Sequence, residues 1–120
     1  METETTWKGS CHCGSVQYEV SMTQPQSALV CNCSHCHAKG LMLTFVPRAK
    51  FNIIQGEHAL TEYRFNKKQI AHLFCATCGV QCFAYGADQE GTETVAINLR
   101  TIENIDTDTL AIQKFNGKEY

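Results

Sequence analysis

The sequence contains no apolar stretch approaching the ~20 residues that a membrane-spanning helix needs, so no membrane partner is expected. It also lacks a basic stripe. Its lysines and arginines are scattered, Lys67-Lys68 is the one adjacent pair, and the net charge is −2. A reader of nucleic-acid phosphates needs clustered cations, so no nucleic-acid partner is expected. The opening Met-Glu-Thr-Glu-Thr-Thr has neither the basic start nor the apolar run of a secretory signal. The expected compartment is therefore the cytoplasm, where thiols stay reduced. There is no internal repeat, no low-complexity tract, and no window that holds a helical period for three turns.

Against these absences stand eight cysteines in 120 residues. Four disulfides in a secreted scaffold would need an export signal, and would not explain why the cysteines fall in short motifs. The length fits one domain over residues 1–120. Such a domain is stable by only about 5–15 kcal/mol. A structural zinc, with an apparent binding free energy of roughly 10–16 kcal/mol in small peptides, could supply a large share of that.

Between the cysteine motifs the pattern is that of short strands. Val16, Tyr18 and Val20 alternate with Gln17 and Glu19, the period-two signature of a half-buried strand. Further candidates are Ala28 to Val30, Met42 to Val46, Phe51 to Ile54, a run carrying Leu60, Tyr63 and Phe65, Ile70 to Phe74, Val80 to Tyr85, Val95 to Leu99 and Leu110 to Phe115. Gly, Pro, Asn and Asp punctuate them at the spacing of an all-β domain. One helical turn is predicted at Ser34 to Ala38, with Ser34 as its cap. Asp88 to Glu93 reads as a solvated loop, Lys67-Lys68 as a turn, and Asn116 to Glu119 as a turn or frayed end.

The cysteine spacing is C-x-C at Cys11 and Cys13, C-x-C-x-x-C at Cys31, Cys33 and Cys36, and C-x-x-C at Cys75 and Cys78. Zinc takes four ligands in a tetrahedron, and a tight C-x-x-C turn can present two sulfurs to one ion. Gly14 and Gly79, each just after a second cysteine, suit such turns. Seven clustered cysteines do not divide into two fours. One grouping gives a closed four-thiolate site at Cys11, Cys13, Cys75 and Cys78 and leaves three at Cys31, Cys33 and Cys36. A closed site is structural, whereas three protein ligands leave a position for water or substrate, as catalytic zinc sites do. Cys82, His35 or His37 could instead close the second site, or it could stand mostly empty.

Other residues admit plainer readings. Cys82 suits a buried small hydrophobe, and Trp7 and Phe83 suit the core. His12 packs beside ligands more readily than it ligates. His35 and His37 flank Cys36 and could move a proton, histidine's reference pKa being near 6.5, or could be solvated. His58 and His72 read as surface or strand residues. Lys39 and Arg48 could meet a substrate carboxylate or be solvated charges.

Gly9-Ser10-Cys11-His12-Cys13-Gly14, Cys31-Asn32-Cys33-Ser34-His35-Cys36 and Phe74-Cys75-Ala76-Thr77-Cys78-Gly79 resemble the glutathione-dependent formaldehyde-activating enzyme family, which includes proteins similar to centromere protein V. The motifs occur in the family's order from about Gly9 to beyond Tyr85. The positive charge that the family often carries right after the third cysteine of the second motif comes here at Lys39, after His37-Ala38. The resemblance implies an all-β fold, a tent of packed antiparallel sheets with short connecting turns, pinned by zinc. It places a structural Zn2+ on Cys11, Cys13, Cys75 and Cys78 and a second, catalytic Zn2+ on Cys31, Cys33 and Cys36. It further implies a carbon–sulfur lyase that adds a small thiol such as glutathione to an aldehyde such as formaldehyde, or removes it. The alternative is a zinc-stabilised binding module without chemistry, and redox sensing through the open thiolates is a third reading.

Overall fold

The computed structural model describes residues 3–64, 70–88 and 90–117. Alternation of buried and half-exposed side chains is complete in one of its strands. In β2 (Gln17–Met22), Tyr18, Val20 and Met22 point inward and the residues between them are half-exposed, as a period of two requires. Strand β2 pairs antiparallel with β1 (Thr5–Ser10) on one side and β5 (Phe51–Gln55) on the other, forming a three-stranded sheet. Strand β1 is an element that the sequence pattern does not announce. Its five residues before Ser10 include one half-buried side chain, Trp7, and one buried glycine, so the run shows little alternation.

A second sheet has seven strands. It runs β10 (Ala111–Phe115), β3 (Ser27–Cys31), β4 (Leu43–Pro47), β9 (Glu93–Asn98), β8 (Gln81–Ala87), β7 (Ala71–Cys75) and β6 (Leu60–Tyr63). All its pairings are antiparallel except that of β10 with β3, which is parallel. The architecture is thus the expected one of packed β-sheets, with one parallel edge that the antiparallel expectation did not contain. Short 3-10 turns, such as Arg48–Lys50 and Leu99–Thr101, connect strands. Among the described residues the one α-helix is α1 (Ser34–Lys39), and no helix is long and apolar enough to cross a membrane.

The core lies between the sheets. Tyr18 of β2 and Phe51 of β5 meet Phe83 of β8, with ring centroids 5.7 and 4.7 Å apart and edge-on geometry. Val95, Ile97 and Leu99 are fully buried beneath them. Burial of each such side chain contributes about 1.5–3 kcal/mol. The Tyr18 hydroxyl reaches the Thr101 hydroxyl at 2.7 Å, so its polar end is satisfied inside the core. Phe83 is core as expected. Trp7 is half-buried at the core's margin, and its Nε1 donates to Met22 O at 3.1 Å.

Candidate metal centre

The chain places Cys11 and Cys13 in the turn after β1, Cys75 at the end of β7, and Cys78 in the turn between β7 and β8. Their four sulfurs lie within 4.8 Å of one another. Cys13 Sγ is 3.6 Å from both Cys11 Sγ and Cys75 Sγ. A disulfide would require about 2.05 Å, and all eight cysteines are free. A tetrahedron with sulfur at about 2.3 Å from its centre has edges of about 3.8 Å. The observed spacing is close to that, so the donor set fits a four-thiolate metal ion without rearrangement.

Local backbone supports this arrangement. Gly14 and Gly79 have φ of 84° and 81°, and a Cβ on either would meet nothing within 4 Å. The left-handed backbone of the turn, not crowding, is what favours glycine there. The amide of Val16 points at Cys11 Sγ at 3.3 Å, and those of Thr77 and Cys78 at Cys75 Sγ at 3.4 and 3.5 Å. Cys78 is brought down to about 6, first by the backbone N–H of Val80 and then by that of Cys13. The Ser15 hydroxyl, 3.2 Å from Cys13 Sγ, and the Ser15 N–H lower Cys13. Burial raises Cys11. Hydrogen bonds to the charged form thus favour the thiolates of the exposed Cys13 and the half-buried Cys78.

The second cluster sits where β3 ends and α1 begins. Cys31 closes β3, and Cys33 and Cys36 belong to the helix start, their sulfurs within 4.8 Å of one another. The helix cap is Cys33, not Ser34. Cys33 Sγ accepts from Cys36 N at 3.4 Å, one residue earlier than the sequence suggests, because the thiol itself takes the orphan helix amide. Cys31 Sγ likewise accepts from Cys33 N at 3.4 Å. Cys31 and Cys36 pack with Leu41 and Leu43 in a small core of their own. Burial, then the neighbouring Cys33, raises Cys36 steeply. Burial also raises Cys31. Burial opposes the Cys33 thiolate too, but the Cys36 amide and the neighbouring sulfurs outweigh it and the net shift is downward.

Among the described residues, no histidine or carboxylate joins either group, and neither does Cys82. His35 and His37 therefore do not close the second set in this geometry. Cys82 is a buried side chain of β8, raised to about 12 by burial and by the nearby Cys11.

His35 and Lys39 of α1 reach β6, β7 and β8. His35 stacks on Tyr63 of β6 at 5.6 Å between ring centroids, and its ring lies 4.0 Å from that of His72 of β7. Lys39 Nζ donates to Gln81 Oε1 at 2.9 Å and rides over the Phe74 ring at 4.9 Å. Gln81 Nε2 lies 3.5 Å from His72 Nδ1. Burial and then the Lys39 charge push the His35 pKa below its usual value. The sequence places His72 on a strand or at the surface; it is on a strand and buried. His37 and His58 are exposed. Arg48 covers the Tyr85 ring at 3.8 Å. Lys67-Lys68 and Phe65 lie outside the described residues.

A model of the glutathione-dependent formaldehyde-activating enzyme family matches residues 6–115. The chain belongs to that family. It is also similar to a protein of Rhodobacter sphaeroides whose crystal structure was solved as a structural genomics target. The two are 26% identical, with a TM-score of 0.77 over 88% of this chain and 99% of the other. Within the formaldehyde-activating family framework, the cysteine motifs are legible from spacing alone. Gln81, His72 and Tyr63 around α1 are not, because no local pattern marks a glutamine, histidine or tyrosine of three different strands as neighbours. Asn32, in the middle of the second C-x-C, is a residue that sequence reasoning misses, although its place between two ligands is a usable signal.

Proposed function

We propose that this protein is a zinc-dependent carbon–sulfur lyase that adds a small thiol to an aldehyde such as formaldehyde, or reverses that addition. Glutathione is one such thiol. Cys11, Cys13, Cys75 and Cys78 hold a structural zinc, and Cys31, Cys33 and Cys36 hold the reacting one. The observation that carries this reading is the asymmetry between the clusters. Four sulfurs complete a tetrahedron, while three sulfurs at the head of α1 have no fourth protein ligand among the described residues. Three protein ligands and an open place are the mark of a catalytic zinc.

Zinc bound there would keep a substrate thiol deprotonated at neutral pH. The addition forms one sulfur–carbon bond and converts the carbonyl oxygen to an alkoxide, which takes up the proton the thiol has lost. His35 or His37, which flank Cys36 in sequence, relays that proton from the thiol to the oxygen. Lys39, anchored on Gln81, adds a positive charge three residues beyond Cys36 for a substrate carboxylate. Leu41 and Leu43 pack against Cys31 and Cys36 and keep water from that side of the sulfurs.

The test is turnover of thiol plus aldehyde by the protein and by Cys36→Ser, with the uncatalysed addition subtracted. Even substitutions one shell outside a metal cost 10–100-fold. The expected loss on removing a ligand is therefore at least about 100-fold, with metal at the four-cysteine site retained. Equal rates would remove the catalytic role of this cluster and leave a module in which metal only holds the fold.

A further inference from the structure

Strand β10 differs from the other strands of its sheet. All five of its side chains are exposed, and it is the parallel edge of the sheet, with Phe115 opposite Cys31. The short segment beyond it is better placed than the strand itself. Asn32 N donates to Phe115 O at 3.1 Å, and Asn32 Nδ2 donates to Asn116 Oδ1 at 2.8 Å. The residue between two cysteines of the second motif thus clamps the segment from Phe115 to Asn116. The clamp delivers Gly117 onto the sulfur cluster. A Cβ on Gly117 would land on Cys31 Sγ and lie 3.4 Å from Cys33 Cβ and 3.5 Å from Phe115 Cδ2. Gly117 is half-buried although the five strand residues and Asn116 before it are exposed.

We propose that Asn116 and Gly117 are positioning residues of the three-thiolate site, forming a wall that shields Cys31 Sγ and fixes where that sulfur sits. Glycine at 117 is required by approach. The backbone passes where any side chain would occupy the sulfur's own volume, so a larger residue must displace either the wall or Cys31. Displacement of Cys31 alters the three-sulfur geometry, and displacement of the wall opens Cys31 to reagents in solution. The consequence for turnover rests on the lyase reading above, but the wall rests on the contacts alone.

The experiment is site-resolved alkylation of the purified, metal-loaded protein with iodoacetamide, read by peptide mass mapping, beside chelator competition for each metal equivalent. Gly117→Ala inserts bulk, and Asn116→Ala cuts the clamp without adding any. The expected result is alkylation of Cys31 at least tenfold faster in both variants, with Cys11, Cys13, Cys75 and Cys78 unchanged. In Gly117→Ala the metal of the three-cysteine site should also leave at a chelator concentration at least tenfold lower. Wild-type Cys31 rates in both folded variants would overturn the proposal, and so would a uniform rise at every cysteine, which marks general loosening. If Gly117→Ala does not fold, Asn116→Ala alone decides by the same criterion. A wild-type protein that turns nothing over defeats the lyase reading without touching the alkylation result. Normal turnover with unmoved Cys31 defeats only the wall.

Discussion

His72 is the histidine on which the folded state acts most strongly. It is 5% exposed, and burial, followed by the neighbouring His35 and Lys39 charges, brings its pKa from 6.5 down to about 4. The native protein therefore holds it neutral where the unfolded chain would protonate it. Stability from this residue is complete above pH 6.5, falls as pH drops from there toward 4, and is lost below that. Between pH 7 and pH 5 the loss is on the order of 1–2 kcal/mol. We expect His72→Gln to lose less stability over that interval than the wild type, by urea denaturation at both pH values. Thiol protonation affects both proteins and cancels in the comparison. Equal slopes would mean that His72 is not held neutral. Nothing in the sequence marks this residue, because alternation around it in β7 is blurred by burial on both faces.

At the scale of the element, strands are legible wherever one face is wet and the other dry. Strand β2 alternates fully, and the breaks at Pro47 and Gly56 fall at or just beyond the ends of β4 and β5. Strand β10 is visible from its apolar residues, yet Ile112 and Phe115 are exposed, so hydropathy locates the strand for a reason unrelated to its burial. The contrast predicts two very different costs. Ile97, next to the last residue of β9 and 0% exposed, should cost about 2–5 kcal/mol on truncation to alanine. Ile112→Ala, at a position 49% exposed, should stay within about 0.5 kcal/mol. Chemical denaturation of the two variants checks this, and comparable losses would place β10 in the core. The cap of α1 falls one residue before the serine that the sequence favours, because a thiol can accept the helix amide as a hydroxyl does.

At the scale of the whole molecule, the four-cysteine cluster joins the turn after β1, which leads into the three-stranded sheet, to the β7–β8 turn of the seven-stranded one. A metal ion held there would cross-link the two layers, and a structural zinc's apparent binding free energy of roughly 10–16 kcal/mol matches or exceeds the 5–15 kcal/mol typical of a domain. Titration with a strong chelator under reducing conditions, followed by metal counting and far-ultraviolet circular dichroism, should therefore be biphasic. One equivalent should leave with the β signal intact, and the second should leave with unfolding. Loss of both without unfolding would show that neither ion holds the sheets together.

The sequence by itself determined that this is a β protein built around cysteine clusters, since both alternation and C-x-C or C-x-x-C spacing are local and survive in a string of letters. The count of seven clustered cysteines further required that two sites could not both be closed by those thiols. The family resemblance already pointed to which motifs share a site, and the tertiary structure brings them together, since Cys13 and Cys75 are 62 positions apart in sequence. Only the tertiary structure decided that His35 and His37 stand outside the second cluster, that His72 is buried, and that Gly117 lies against Cys31. Each of these depends on register and approach between distant segments, which spacing within a motif does not encode.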